Sequence, residues 1–202
     1  MTKAEFYTEV MRVSNPALAK QLADSTKQIH LNKKDMLIRE GELQEYFVFL
    51  LEGILRGFFL DITGKEITDC FLFQRGSPSM ATVKLKEPSI VSLEAETECE
   101  LFAIKIEILQ QLMQQNAELL WIYNALLRQS LQAHWKIKTM VCQHTAMERY
   151  QWFLREYPGL IQRVNNKYIA SFLGITPVTL SRLRRVLREH ENNENQTDKP
   201  DE

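Results

Sequence analysis

"NNKYIASFLGITPVTLSRLRRVL", Asn165 to Leu187, sets one glycine, one lysine and three arginines among regularly spaced apolar residues. Asn165 has the side chain to cap a helix running to Leu173. Gly174 then ends that helix, where a left-handed backbone needs a residue without Cβ. Thr176 caps a second helix, and Pro177 takes its first position, where a missing N–H costs little. Ile169, Leu173, Ile175, Leu180 and Leu183 supply the apolar faces, and Ala170 is small, as two helices crossing at a short turn require. A small residue, a glycine four later and an apolar residue six beyond that form a far more specific combination than periodicity alone. The segment reads as a helix-turn-helix.

Such a motif lays its second helix in the DNA major groove. Pro177, Val178, Ser181, Arg182 and Arg185 would then face the bases, with Thr176 and Thr179 in the same first turn. Asn166, Lys167, Arg184 and Arg188 are placed for phosphates. The bland alternative is an amphipathic hairpin whose arginines are merely solvated. Charge distribution argues against it. Residues 145–190 hold eight Lys and Arg against three Asp and Glu, whereas residues 1–144 hold sixteen against eighteen and residues 191–202 one against five. A net charge of −1 for the whole chain thus conceals one basic module. That asymmetry points to nucleic acid for this segment alone.

The remaining composition, 45% hydrophobic and 25% charged, is that of an ordinary globular protein. The longest apolar run, "YFVFLL" at Tyr46–Leu51, is far short of the roughly 20 residues a membrane helix needs. "MTKAEFYTEVMRV" carries Glu5 and Glu9 and does not read as a signal peptide. These features predict a cytoplasmic protein with no membrane partner. Cys70, Cys99 and Cys142 are widely separated, with no CxxC pair, and predict reduced, mostly buried thiols in place of a disulfide framework or metal site.

Outward from the motif, the texture changes twice. Two short helices are expected around 3–13 and 16–24. From Gln28 to Ile104, strand-length runs rich in Phe, Ile, Val and Tyr are punctuated by Gly41, Gly53 and Gly64, the pattern of a small β-sandwich or barrel. Lys105 to Thr139 has neither Gly nor Pro and is rich in Leu, Gln, Ala and Glu. Asn116 breaks it, leaving a helix of about 24 residues from Ala117. Leu120, Leu127, His134 and Val141 recur every seven residues, interleaved with Tyr123 or Asn124, Leu131 and Ile137. That spacing keeps one seam toward a partner helix. Packing back on the chain's own sheet is the alternative, but the helix outruns so small a sheet. No second His lies at i+3 or i+4 from His134, so it reads as a packed polar residue, with no metal. No Gly-rich phosphate loop, nucleophile elbow or clustered acid/base set is present, which predicts no enzyme.

With these pieces in order, the chain resembles the CRP/FNR family of bacterial transcription regulators over essentially its whole length. "IREGELQEYFVFLLEGILRGFF", "AMERYQWFLREYPGLIQRV" and "KYIASFLGITPVTLSRLRRVL" carry the resemblance. It implies an α+β fold: a jelly-roll-like β-roll sensor over 1–116, a dimerisation helix over 117–142, and an all-α, winged-helix-like helix-turn-helix domain over 143–190. Residues 191–202 are then an acidic, disordered tail, which leaves the wing without its C-terminal half. The implied function is homodimeric, sequence-specific regulation of transcription on an inverted repeat of double-stranded DNA, with RNA polymerase as a further partner. An effector in the roll would bias the long helices and thereby the heads.

The departures concern that effector. Cyclic-AMP-binding members hold ribose and phosphate with a Gly-Glu pair and an Arg-Ser pair. Here Ser79 and Met80, then Ser89 and Ile90, occupy the corresponding loop, and no arginine lies between Arg75 and Arg128. The phosphate loses its bidentate partner. His134 and Trp135 would fill the adenine side of the pocket. The expected effector is therefore not cyclic AMP, and no cofactor is expected. A ligand-binding signalling module whose helical head contacts protein stands as the alternative function.

Overall fold

The computed structural model describes residues 1–81 and 85–197, with 190–197 as backbone only. They fall into two compact units, Met1–Trp135 and Lys136–Glu202.

In the first unit, helix α1 (Lys3–Glu5) runs into a π-turn (Phe6–Val10) and is followed by α2 (Pro16–Asp24). Asn15 caps α2 by accepting from the Ala17 and Leu18 amides, with Pro16 at the first position. Two antiparallel sheets follow. One has the order β1 (Thr26–Leu31), β7 (Cys99–Lys105), β3 (Tyr46–Glu52). The other runs β2 (Met36–Ile38), β6 (Ser92–Ala95), β4 (Leu55–Leu60), β5 (Glu66–Leu72).

Strand β3 shows why "YFVFLL" is continuous where a half-buried strand would alternate. Val48 and Leu50 point into the core between the sheets with Leu55, Ala95, Leu101 and Ala103. Phe47 and Phe49 point the other way, into a helical layer with Phe6, Leu18, Leu22, Leu109 and Leu119. Both faces are buried, so both must be apolar. Truncating a ring such as Phe49, 5.3 Å from Phe6, would cost about 3–5 kcal/mol. At the β3–β4 turn, Gly53 has φ +103, and a Cβ there would stand 2.4 Å from the Glu98 carbonyl oxygen. Only glycine fits.

Helix α3 (Ile106–Gln115) ends at Asn116, which is extended at φ −133, ψ 103, before α4 (Ala117–Gln143) begins. The break falls where the sequence put it, and α4 is 27 residues long. Its start is tied down by Glu118, whose carboxylate accepts from the Ser14 hydroxyl at 2.7 Å and the Asn15 amide at 3.3 Å.

The second unit takes in the last turns of α4, so its edge lies at Lys136, seven residues before the expected 143. Then come α5 (Ala146–Glu156), α6 (Leu160–Arg163), α7 (Asn166–Phe172) and α8 (Pro177–Thr197). Thr145 and Glu148 form a reciprocal capping box on α5. Trp152, Phe153, Leu160, Tyr168, Ile169 and Phe172 make the core, with the Trp152 and Phe172 rings stacked at 6.1 Å. One feature differs from expectation. α8 continues to Thr197, seven residues into the segment expected to be disordered, while 198–202 lie outside the described residues. The all-α head is as expected, with no strand after β7 among the described residues.

Candidate functional site

The helix-turn-helix forms as its sequence demands. Asn165 accepts from the Lys167 amide and caps α7. Gly174 adopts φ +62, and Ile175 donates back to the Ala170 carbonyl at 2.9 Å, closing the turn. Thr176 Oγ1 accepts from the Thr179 amide at 3.0 Å, leaving Pro177 at the first position of α8. Ala170 and Leu180 are fully buried where α7 and α8 cross.

With Leu180 inward, the helical period turns Val178, Ser181, Arg182 and Arg185 outward. All four are exposed, Val178 at 69%, as are Thr176, Pro177 and Arg188. Thr179 is half-buried by its own cap. Of the phosphate candidates, Asn166 and Lys167 are exposed on α7, but Arg184 is half-buried and donates to Asn166 Oδ1 at 3.1 Å. The two act as one unit. Arg185 Nε stands 3.7 Å from Glu189, an exposed pair of little energetic weight.

Along α4, Leu119, Ile122, Tyr123 and Leu126 pack into the helical layer of the roll. Of the pair Tyr123 and Asn124, Tyr123 is committed inward and Asn124 is exposed. Leu120 and Leu131 are 46% and 59% exposed, while Leu127 and Ile137 are half-buried. Two seam candidates also make contacts within the chain. His134 turns to Asp69 on β5. Val141 lies against the helix-turn-helix, its Cγ1 3.2 Å from where a Gly174 Cβ would stand. Trp121 and Trp135, two heptads apart, are exposed beside the seam.

The effector candidates differ in burial and in the groups they contact. The two halves of their loop do meet, since the Ala81 carbonyl accepts from the Ile90 amide at 3.0 Å and the Ser89 hydroxyl at 3.2 Å. Ser79 and Ser89 are buried with their hydroxyls on protein partners, Ser79 Oγ accepting from Gln44 Nε2 at 3.4 Å. Met80 packs on the helical layer, and Ile90 and Trp135 are exposed. A small apolar crevice of about 20 Å³, partly open to solvent, is lined by Tyr7, Phe47, Phe49, Leu119, Tyr123 and Leu126 among others, and by none of the six candidates.

Arg56, on β4, was not anticipated. It has no exposed surface and is surrounded by carboxylates: Glu94 at 2.7 Å, Glu66 at 2.8 Å and Glu96 at 3.1 Å, with the Phe58 ring 4.1 Å from its guanidinium carbon. Lys34 joins at 3.3 Å from Glu94 and 3.2 Å from Glu96. Burial pushes the Glu94 carboxyl up, but bonding and charge from Arg56 and Lys34 together hold it below its usual value. Burial wins at Glu96 and raises it. Of the cysteines, Cys99 is buried and Cys70 half-buried, its thiol pushed up by burial, but Cys142 on α4 is exposed, contrary to expectation.

A β-roll of two sheets, a long helix and a helix-turn-helix head define the architecture. Residues 28–116 match the cyclic nucleotide-binding domain family. Among solved structures, FixK2 from Bradyrhizobium japonicum is similar over 82% of this chain and 86% of its own, at 18% identity and TM-score 0.76. The c-di-GMP-responsive global regulator CLP of Xanthomonas campestris covers 88% and 93%, at 16% identity and TM-score 0.71. A protein from Eubacterium rectale assigned to the crp/fnr family of transcriptional regulators covers 91% and 88%, at 20% identity and TM-score 0.69. No curated protein matches the sequence. The chain has the CRP/FNR regulator fold. No helix among the described residues is long and apolar enough to cross a membrane.

Proposed function

We propose that this protein is a homodimeric, sequence-specific DNA-binding transcription regulator. The observation that carries the reading is the outer face of α8, where Val178, Ser181, Arg182 and Arg185 are all exposed opposite the buried Leu180. Side chains of that kind on that face can reach base edges, and Lys167, Arg188 and the Asn166–Arg184 pair flank them for phosphates. The second copy pairs along α4 through Leu120, Asn124, Leu127 and Leu131, of which Leu120 and Leu131 are 46% and 59% exposed. Two heads related by a two-fold axis read an inverted repeat with half-sites about 34 Å apart.

The effector is not cyclic AMP. The arginine buried in the roll, Arg56, is already engaged by three carboxylates, Glu66, Glu94 and Glu96, and has no exposed surface to offer a phosphate. Ser79 and Ser89 spend their hydroxyls on protein groups.

Salt titration of duplex binding tests the function. About six phosphate contacts lose roughly 10³-fold in affinity between 50 and 200 mM salt. A flat response would favour a head that binds protein.

A further inference from the structure

Arg149, on α5, makes no part of the DNA-facing surface, yet it joins two helix ends. Its Nη1 donates to the Leu173 carbonyl at 2.8 Å and to the Val141 carbonyl at 3.3 Å. Both acceptors are carbonyls that their own helices leave unpaired. Val141 would be served by the amide of Thr145, but that amide donates to Glu148 at 2.8 Å. Leu173 would be served by residue 177, which is proline and has no N–H. One cation therefore caps the C-terminus of α4 and the C-terminus of α7 together, where the helix dipoles favour positive charge. Nη1 carries both bonds, because Nε is buried without a partner.

Gly174 completes the joint. A Cβ there would stand 3.1 Å from Arg149 Nη1 and 3.2 Å from Val141 Cγ1. The bare backbone is what lets the guanidinium reach the turn. Only His144 and Thr145 separate α4 from α5, so this contact fixes the turn of the helix-turn-helix against the last turn of the long helix.

We propose that Arg149 is a positioning residue that locks the helix-turn-helix to the end of α4 and thereby sets the half-site spacing the dimer accepts. This rests on the DNA-binding dimer reading. A rigid joint holds the two heads at one separation, while a loosened joint lets each head follow its half-site independently.

The test uses full-length wild type, Arg149→Met and Arg149→Lys on duplexes carrying the preferred inverted repeat, with the spacer at its optimum and one base pair longer or shorter. Wild type should lose tenfold or more in affinity on either altered spacer. Arg149→Met should bind all three within about threefold, with its base preference inside the half-site unchanged. Arg149→Lys, whose ammonium can still donate to two carbonyls, should restore most of the discrimination. A role in stability alone would weaken all three duplexes equally, and that result overturns the proposal, as does a wild type indifferent to spacing. Should Arg149→Met not melt cooperatively, Arg149→Gln is read in the same way. Hydrogen exchange separates this proposal from the DNA reading, since it needs no DNA. Exchange at Gly174 and Ile175 should rise at least tenfold in Arg149→Met while the amides of buried Trp152 and Phe153 stay protected. Unchanged exchange there overturns the lock whether or not the protein binds DNA.

Discussion

His134 Nε2 lies 3.3 Å from the Asp69 carboxylate, joining α4 to β5 across 65 residues of chain. The other ring nitrogen, Nδ1, lies 2.9 Å from the Ser130 carbonyl. Two acceptors require two donors, so the imidazole is protonated. The bond to Asp69, outweighing partial burial and aided by Ser130, raises its pKa to about 9. His134 thus ties the helix to the roll beyond Leu126.

That pair makes the stability of the roll depend on pH. A histidine whose folded pKa lies above its ordinary value of 6.5 contributes stability that is complete below 6.5 and lost as pH rises through about 9. Both side chains are partly solvated, so the contribution is about 1 kcal/mol or less. Asp69→Asn should melt a few degrees below wild type at pH 6, and the two should converge by pH 10. A gap that is the same at both ends of the range would mean that the pair does not titrate as described.

The seam makes a prediction about assembly. Replacing Leu127 and Leu131 together with glutamate places unpaired charge in the proposed interface, at a cost of several kcal/mol. Sedimentation should show a monomer with the roll still folded, because neither residue belongs to its buried core. A double variant that still sedimented as a dimer would move the interface elsewhere.

Cyclic AMP offers a test of the roll. Seating its phosphate without an arginine leaves only neutral hydrogen bonds, about half as strong as charge-assisted ones. Calorimetry should detect no specific binding. Micromolar affinity would mean that a cation reaches the phosphate after all.

Base reading on α8 can be changed at one position. Val178 is the most exposed apolar residue of the head and accepts no hydrogen bond, but its methyls suit the C5-methyl of thymine. Val178→Glu should trade a preference for thymine at that step for one for cytosine, whose N4 amine a carboxylate can accept. An unchanged consensus would take Val178 off the reading face. Arg182→Ala should relax a guanine preference worth on the order of 1–3 kcal/mol. Uniform weakening instead would make Arg182 a phosphate contact.

What was legible in the sequence was what is decided locally. Asn15, Asn116, Thr145, Asn165, Gly174 and Thr176 mark helix boundaries through bonds to atoms a few residues away, so the head and the break before α4 could be read directly. The double-sided burial of "YFVFLL" left its trace as an uninterrupted run. Arg56 left none, because an arginine in a strand reads as an edge or surface residue until the register sets Arg56 opposite Glu94. Tyr123 and Asn124 could be separated only once the N-terminal helices were seen to claim Tyr123. Likewise, heptad spacing could not show that His134 meets Asp69 or that Val141 lies beside Gly174, 65 and 33 positions away in sequence.

The DNA that the protein selects is the most direct test of a two-fold, sequence-specific DNA-binding dimer. Purified wild type should be incubated with a random duplex pool at moderate salt, and the bound fraction sequenced through successive rounds. A two-fold dimer with α8 in the major groove predicts enrichment of an inverted repeat whose half-site centres lie about one helical turn, ~34 Å, apart, with guanine and thymine at fixed steps in each half. Enrichment of a single unrepeated site would contradict the dimer, and no enrichment at any round would contradict sequence-specific DNA binding itself.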